Sequence, residues 1–174
     1  MIFRIEIYLK SNSFFLAADF FQLGNNYFLL AVDYFSRDVE VCRVDKTIDT
    51  KETILKFKKI FSRHGICDTL FTDNAPVFNS SEFTQFFESL NFDHVTSSPR
   101  YAQSNGMAER TVQTIKNLLK KCDSVHLAML NYRNTPLQNG FSPAQLSMGR
   151  RLKARIPSHP DELIPKIIDR ATLE

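Results

Sequence analysis

The chain has 174 residues, of which 43% are apolar and 24% charged, with 16 Phe and no Trp. That is the composition of one globular domain, long enough to bury a core without disulfides or a structural metal, and too rich in aromatic residues for a disordered chain. No uncharged apolar run reaches the roughly 18 residues of a membrane span, and Arg4, Glu6 and Lys10 break the apolar N-terminal stretch where a signal peptide needs a clean core.

Cys42, Cys67 and Cys122 stand alone, without the spacing of a zinc ribbon or a disulfide framework. They read as buried small apolar residues in an intracellular, soluble α/β protein. The net charge of +3 is uneven. Residues 1–109 carry −3 and residues 110–155 carry +8, with Asp123 the one acid in the second stretch. A basic stretch after an acidic one suits a polyanion held beside a metal site, and a solvated surface has the same composition.

Residues 1–13 alternate irregularly and receive no assignment. The run at 14–18 (FFLAA) reads as a short strand ending at Asp19, and the run at 27–34 (YFLLAVDY) as a second strand. Leu23-Gly24-Asn25-Asn26 between them has hairpin-turn composition. Alternation at 39–44 predicts a third strand after a turn at Arg37-Asp38. A helix is predicted over 49–64, with Thr53, Ile54, Phe57, Ile60 and Phe61 on its apolar side, Asp49 or Thr50 as N-cap and Gly65 as its stop.

Residues 69–72 (TLFT) form a short strand that ends at Asp73. Ser80 or Ser81 caps a helix to Leu90 with Phe83, Phe86, Phe87 and Leu90 as its stripe. A short buried strand follows at 92–95, then a Ser-rich loop at 96–105. Helices are predicted at 106–121 and 124–132, and Ser142-Pro143 opens a last short one. From Arg150 onward, prolines and charges suggest an extended tail. Three strands, helix, strand, helix, strand and further helices describe a mixed sheet in which a meander feeds βα crossovers. Such crossovers gather strand ends and loops at one sheet edge.

Three carboxylates draw attention there. Asp19 and Asp73 follow apolar strands, and Glu109 lies in the first turn of a helix. Three acids without compensating bases repel one another unless a hard cation sits among them, and paired Mg²⁺ ions would activate an oxygen nucleophile against a phosphodiester. Two of the acids also have a plainer reading: Asp73-Asn74-Ala75-Pro76 as a turn, Glu109 as a partner of the helix dipole; Asp19, after apolar residues and before Phe20-Phe21, is harder to explain away. Glu109, Gln113, Lys116 and Lys120 share one helix face, while Val112, Ile115, Leu119 and Cys122 share the core face. The first face would hold a metal and then track a phosphate backbone.

At this point the chain resembles a known family. Asp19-x53-Asp73-x35-Glu109 matches the D,D(35)E signature of the retroviral-type integrase catalytic core, most like that of Gypsy/Ty3-like LTR retrotransposons. The resemblance extends over 16–155. It is carried by Tyr34-Phe35-Ser36-Arg37, Phe61-Ser62-Arg63-His64-Gly65-Ile66, Thr72-Asp73-Asn74, His94-Val95-Thr96-Ser97-Ser98-Pro99-Arg100-Tyr101, Gln103-Ser104-Asn105-Gly106-Met107-Ala108-Glu109-Arg110, Tyr132-Arg133-Asn134-Thr135-Pro136 and Ser142-Pro143-Ala144-Gln145-Leu146. It implies an RNase H-like α/β fold, a five-stranded mixed sheet flanked by helices. It divides the chain into a poorly matched segment at 1–13, a catalytic core at 14–155 and a tail at 156–174.

The resemblance also implies DNA integration by two-metal phosphoryl transfer, comprising 3′-end processing and strand transfer. Asp19 and Asp73 would hold one Mg²⁺ and Asp19 and Glu109 the other, with Mn²⁺ as a substitute. Asn74, Gln113, Lys116 and Lys120 would contact DNA, and Asn74 and the loop at 97–105 would border the site. The implied partners are element and target DNA and further copies of the chain, in a homodimer or a higher oligomer, with no membrane. The implied compartment is the nucleus, with a cytoplasmic pre-integration complex the alternative.

The chain departs from the family pattern in four places. Ala75 replaces the usual Gly after Asp-Asn, so strain is expected at that backbone. Ala102 replaces a Pro, and the Trp common before the first Asp is missing. His64, His94, His126 and His159 have no spacing to the cysteines that would make the family's His-His-Cys-Cys zinc domain, and His94 and His126 read as structural. The expectation is therefore an isolated core: a gene fragment, a decaying insertion or a host-adopted piece. Alternatives to a polynucleotidyl transferase are an inactive nucleic-acid-binding or dimerising module and a different RNase H-like nuclease. Arg150, Arg151, Lys153 and Arg155 form either a nuclear-import or phosphate patch or a solvated basic turn.

Overall fold

The computed structural model describes residues 13–45, 47–96, 106–122 and 124–168. β1 (Phe15–Leu23), β2 (Asn26–Asp33) and β3 (Val39–Val44) form a meander. α1 (Thr50–His64) leads to β4 (Thr69–Thr72) and α2 (Ser81–Leu90) to β5 (Asp93–Thr96), and α3 (Gly106–Leu119), α4 (Val125–Asn134) and α5 (Pro143–Met148) follow. The sheet order is β3-β2-β1-β4-β5. β1 pairs antiparallel with β2 and parallel with β4, and β4 pairs parallel with β5. Among the described residues no helix is long and apolar enough to cross a membrane.

Strand parity builds two cores, one on each face of the sheet. Leu16, Ala18, Leu29 and Ala31 join Phe57, Ile60 and Phe61 of α1 and Phe83 and Phe86 of α2. Ala17, Phe21, Phe28, Leu30 and Val32 join Val112, Ile115 and Leu119 of α3 and Ala128 and Met129 of α4. In a strand of period two, each substitution on β1 therefore reaches one helical layer and not the other. The first core is aromatic: Phe57, Phe78 and Phe83 meet edge-on, and Phe61 stacks on Phe86. Such pairs add directionality to burial.

Local signals place the helix ends. Asp49 accepts a hydrogen bond from the Glu52 N–H, Ser80 from Phe83 and Ser124 from Leu127, and Ser142 forms a reciprocal capping box with Gln145. Each cap contributes about 1 kcal/mol. Gly24, at φ +58, forms with Asn25 the two-residue turn between Leu23 and Asn26.

Several expectations are corrected. β1 continues four residues beyond Asp19, because β2 supplies partners as far as Asn26. β5 is an edge strand with Asp93 and Val95 exposed, not a buried one, since β4 pairs with one side of it only. Cys67 is buried, but Cys42 and Cys122 are half-buried. His126 is exposed on α4. The tail beyond Arg150 contains a short 3-10 turn at Pro160–Glu162. Residues 1–12 and 97–105, which include all but Ser13 of the N-terminal segment, the whole expected site-bordering loop and Ala102, lie outside the described residues.

Candidate active site

Asp19 lies mid-strand in β1, opposite Leu30, with the parity of Ala17 and Phe21. It therefore belongs to the face on which α3 packs. β4 runs parallel beside β1 with Ala17 opposite Phe71. Two further residues along that register bring Asp73, just past the end of β4, level with Asp19. Sequence places these acids 54 positions apart, and the parallel register of β1 and β4, continued past the end of β4, brings them level.

The segment at Asp73 is held locally. The Asp73 Oδ1 accepts a hydrogen bond from the Ala75 N–H at 3.2 Å. Asn79 Nδ2 donates to the Asn74 Oδ1 at 2.7 Å, so exposed Asn74 has its amide oxygen engaged within the turn. The turn reading and the site reading of Asp73 thus coexist. Ala75 does not carry the expected backbone strain. Among the described residues, the non-glycine ones with positive φ are Arg37 and Asn91, and Ala75 packs against the aromatic core. Thr72 donates through Oγ1 to the Asp73 carbonyl at 2.9 Å and meets His94 Nε2 at 2.9 Å. Burial pushes the His94 imidazole down to about 4, so at neutral pH the ring is uncharged and donates to Thr72. His94 joins β5 to the strand that ends at Asp73.

Glu109 is exposed, in the first turn of α3. Below it, Met107, Ala108, Val112, Ile115 and Leu119 face the second core. Lys116 lies with its Nζ 5.7 Å from the Phe21 ring centroid, so α3 crosses β1 close to Asp19. Gln113 and Lys120 are exposed, and Gln113 donates to Asn117 at 3.2 Å.

Charge connects the three acids. Burial raises the Asp19 carboxyl, and the Asp73 charge raises it further. The Phe20 backbone hydrogen bond lowers it, Glu109 raises it and Lys116 lowers it, leaving Asp19 at about 6. The fold thus draws Asp19, Asp73 and Glu109 into one electrostatic neighbourhood in which ionisation of Asp19 is opposed. It does not draw them into a ligating cluster: among the described residues no group of three or more His, Cys, Asp or Glu has metal-binding geometry. The donor set still fits a hard divalent ion, because it consists of carboxylates alone and its mutual repulsion is what such an ion relieves.

The family model described as Integrase core domain matches residues 16–102, half of the chain. The chain belongs to this family. This integrase core is 36% identical over 121 residues to the uncharacterized protein K02A2.6 of Caenorhabditis elegans, a match covering 64% of the chain and 10% of that protein. It is 37% identical over 111 residues to the Gag-Pro-Pol polyprotein of Human T-cell leukemia virus 2, covering 63% of the chain and 7% of the polyprotein. The chain therefore spans a tenth or less of these curated relatives. Among solved structures, the HTLV-2 integrase catalytic core domain in complex with magnesium, in a dimeric form, superposes with a TM-score of 0.63 at 26% identity. That match covers 76% of this chain and 94% of the other. The architecture is the RNase H-like fold that the sequence resemblance implies.

The integrase core also contains a polar network not foreseen from sequence. Arg133 of α4 donates from Nε to the buried Asp38 Oδ1 at 2.8 Å and from Nη2 to the Val39 carbonyl at 2.7 Å. Glu40 accepts from Arg63 and meets His64 Nε2 at 2.8 Å. Burial raises the Glu40 carboxyl, but hydrogen bonds from His64 and Arg63 and the charges of Arg63 and Arg133 outweigh it and hold it at about 2. Tyr132 Oη donates to the Arg37 carbonyl at 3.0 Å. The signal available in sequence was the matched pair of strings around Arg37 and Tyr132-Arg133. A separation of 95 positions hid the contact.

Proposed function

We propose that this integrase core binds DNA and transfers phosphoryl groups on it, trimming DNA 3′ ends and joining them to a target strand. In this reading Asp19 and Asp73 hold one Mg²⁺, and Asp19 and Glu109 a second. When bound, the ions would supply Lewis acidity toward the phosphodiester. Lys116 and Lys120 neutralise backbone phosphates, Gln113 hydrogen-bonds the strand, and Asn74 borders the reacting end, so the chain's own contribution is positioning and charge. Water and then the freed 3′-hydroxyl are the nucleophiles, each displacing an oxygen in line at phosphorus.

The observation that carries this reading is the convergence of the three acids: the β1–β4 register sets Asp73 level with half-buried Asp19, and α3, which packs over β1, carries Glu109 in its first turn. The family and the magnesium-bound HTLV-2 core support it. A homodimer is the assembly that goes with it and the nucleus the compartment. The test is strand transfer on a branched DNA that presents the reacting ends in place, with Mg²⁺ or Mn²⁺, comparing the chain with Asp73→Asn. Metal-dependent product that disappears in the variant supports the proposal. DNA binding that falls with salt, without product and indifferent to Asp73, supports instead a non-catalytic binding module. The exposure of Glu109, outside any ligating group, is the observation that favours this second reading.

A further inference from the structure

An open cleft of about 570 Å³ lies beside α3, on the flank away from the Glu109–Lys120 face. Its polar lining is Arg37, Arg110, Thr111, Thr114, Tyr132, Gln138 and Asn139, with no carboxylate among the described residues that line it. Two guanidiniums share this cleft, the Asp33 charge acts on Arg37 from outside its lining, and four features of the structure maintain the arrangement.

First, Arg37 is pinned in the left-handed region at φ 61, a conformation that non-glycine residues rarely adopt without a constraint. The constraint is visible. Asp33 accepts from the N–H groups of Phe35 and Ser36 and from the Ser36 hydroxyl, its carbonyl accepts from the Arg37 N–H, and Tyr132 Oη donates to the Arg37 carbonyl. Second, the Arg37 guanidinium is half-buried and its side-chain hydrogen-bond partner among the described residues is the Met107 sulfur, a weak acceptor. Burial depresses its basicity and the Arg110 charge does so further, against the opposite effects of Tyr132, Asp33 and Tyr34.

Third, Arg110 makes no ion pair among the described residues. Its Nη1 lies 3.9 Å from where a Cβ on Gly106 would stand, so the side chain folds back over the first turn of α3. That is the positive end of the helix dipole, the wrong place for a cation and the right place for a cation that shares an anion. Fourth, the loop after α4 is held by bonds from Leu137 to Phe141 and from Gly140 to Leu137. The Asn139 Oδ1 accepts from the Phe141 N–H, which leaves the Asn139 amide nitrogen as a donor at the cleft.

We propose that this cleft seats a backbone phosphate of a DNA strand, held by Arg37 and Arg110 with amide donors from Gln138 and Asn139. Planar guanidiniums grip phosphate oxygens in pairs, which a lysine cannot do. The inference rests on the DNA reading above and extends it. Glu109 and Arg110 are consecutive on α3, so a strand running along Gln113, Lys116 and Lys120 continues around the helix shoulder into the cleft.

The test is fluorescence anisotropy of a labelled duplex titrated across a salt series, with the wild-type chain and the variants Arg110→Gln, Arg37→Lys and Lys116→Gln. Melting curves establish that each variant is folded. Exposed Arg110 carries the main comparison, and Arg37→Lys keeps the charge while removing the fork. The expected result is that Arg110→Gln weakens binding several-fold and reduces the slope of log K against log salt by about one, and that Arg37→Lys weakens binding with little change of slope. An unaltered slope and affinity in Arg110→Gln, while Lys116→Gln loses both, overturns the cleft and leaves the DNA reading standing. Absence of DNA binding by the wild-type chain overturns both. A second arm melts the protein in inorganic phosphate and in chloride at matched ionic strength. Phosphate stabilisation abolished by Arg110→Gln, with the DNA slope unchanged, identifies a free-phosphate site and overturns the backbone assignment.

Discussion

Asp19→Asn in metal-free buffer tests the electrostatics of the acidic trio directly. The Asp19 carboxyl titrates at about 6 in the fold against 3.8 for the free group. Between those values the folded chain binds more protons than the unfolded one, so stability falls as pH rises from about 4 to 6 and stays lowered above it. Two pH units correspond to roughly 3 kcal/mol, an upper bound for a half-buried group. Asn keeps the oxygen that accepts from the Phe20 N–H and removes the charge. The expectation is therefore that Asp19→Asn is more stable than wild type at pH 7 in EDTA by about 1–3 kcal/mol, and no more stable at pH 4. The assay is urea unfolding followed by circular dichroism at several pH values. Added Mg²⁺ should then stabilise the wild type, whose repulsion it relieves, more than the variant. A variant that is less stable at pH 7, or whose advantage does not change with pH, would refute the argument that mutual repulsion and burial raise Asp19.

His94 works in the opposite sense. Its folded value of about 4 lies below the 6.5 of the free imidazole, so its contribution is complete above pH 6.5 and is lost as pH falls toward 4. The loss is at most about 3 kcal/mol, and His94→Asn should flatten that limb of the urea-derived profile. Arg133→Met removes the partner of the buried Asp38, whose Oδ2 already has no hydrogen bond among the described residues. It should cost about 3–5 kcal/mol by equilibrium unfolding, and Asp38→Asn in the same background should recover part of it. Gly149→Ala places a Cβ 2.4 Å from the Lys166 carbonyl oxygen at φ +71. It should cost about 1–3 kcal/mol and speed hydrogen exchange of the Lys166 N–H, which donates to the Gly149 carbonyl.

Helices and their ends were readable locally because their signals are local. Asp49 and Gly65 bracket α1, and Ser142 with Gln145 opens α5, each within a few residues of the backbone groups it satisfies. Strand extents were less so. A carboxylate after an apolar run reads as a stop, yet β1 passes through Asp19, because β2 offers hydrogen-bond partners there and the side chain points to a face where α3 leaves it half-exposed. Likewise Phe92 and Val95 suggested a buried strand. Only the strand order makes β5 an edge, covered on the Phe92 side and exposed at Val95.

By itself the sequence determined the mixed α/β order, the family, the three acids and the basic face of the helix that follows them, since these depend on residue type, spacing and helical period. Tertiary structure decided which acids feel one another. Parallel pairing sets Asp73 level with Asp19, and the packing of α3 across β1 brings Glu109 and Lys116 into the same field. It also decided that Arg37, Tyr132 and Arg110, from three separate elements, line one cleft. Coulomb energy and hydrogen bonding depend on distance in space, and between residues 54 or 95 positions apart only the path of the folded backbone sets that distance.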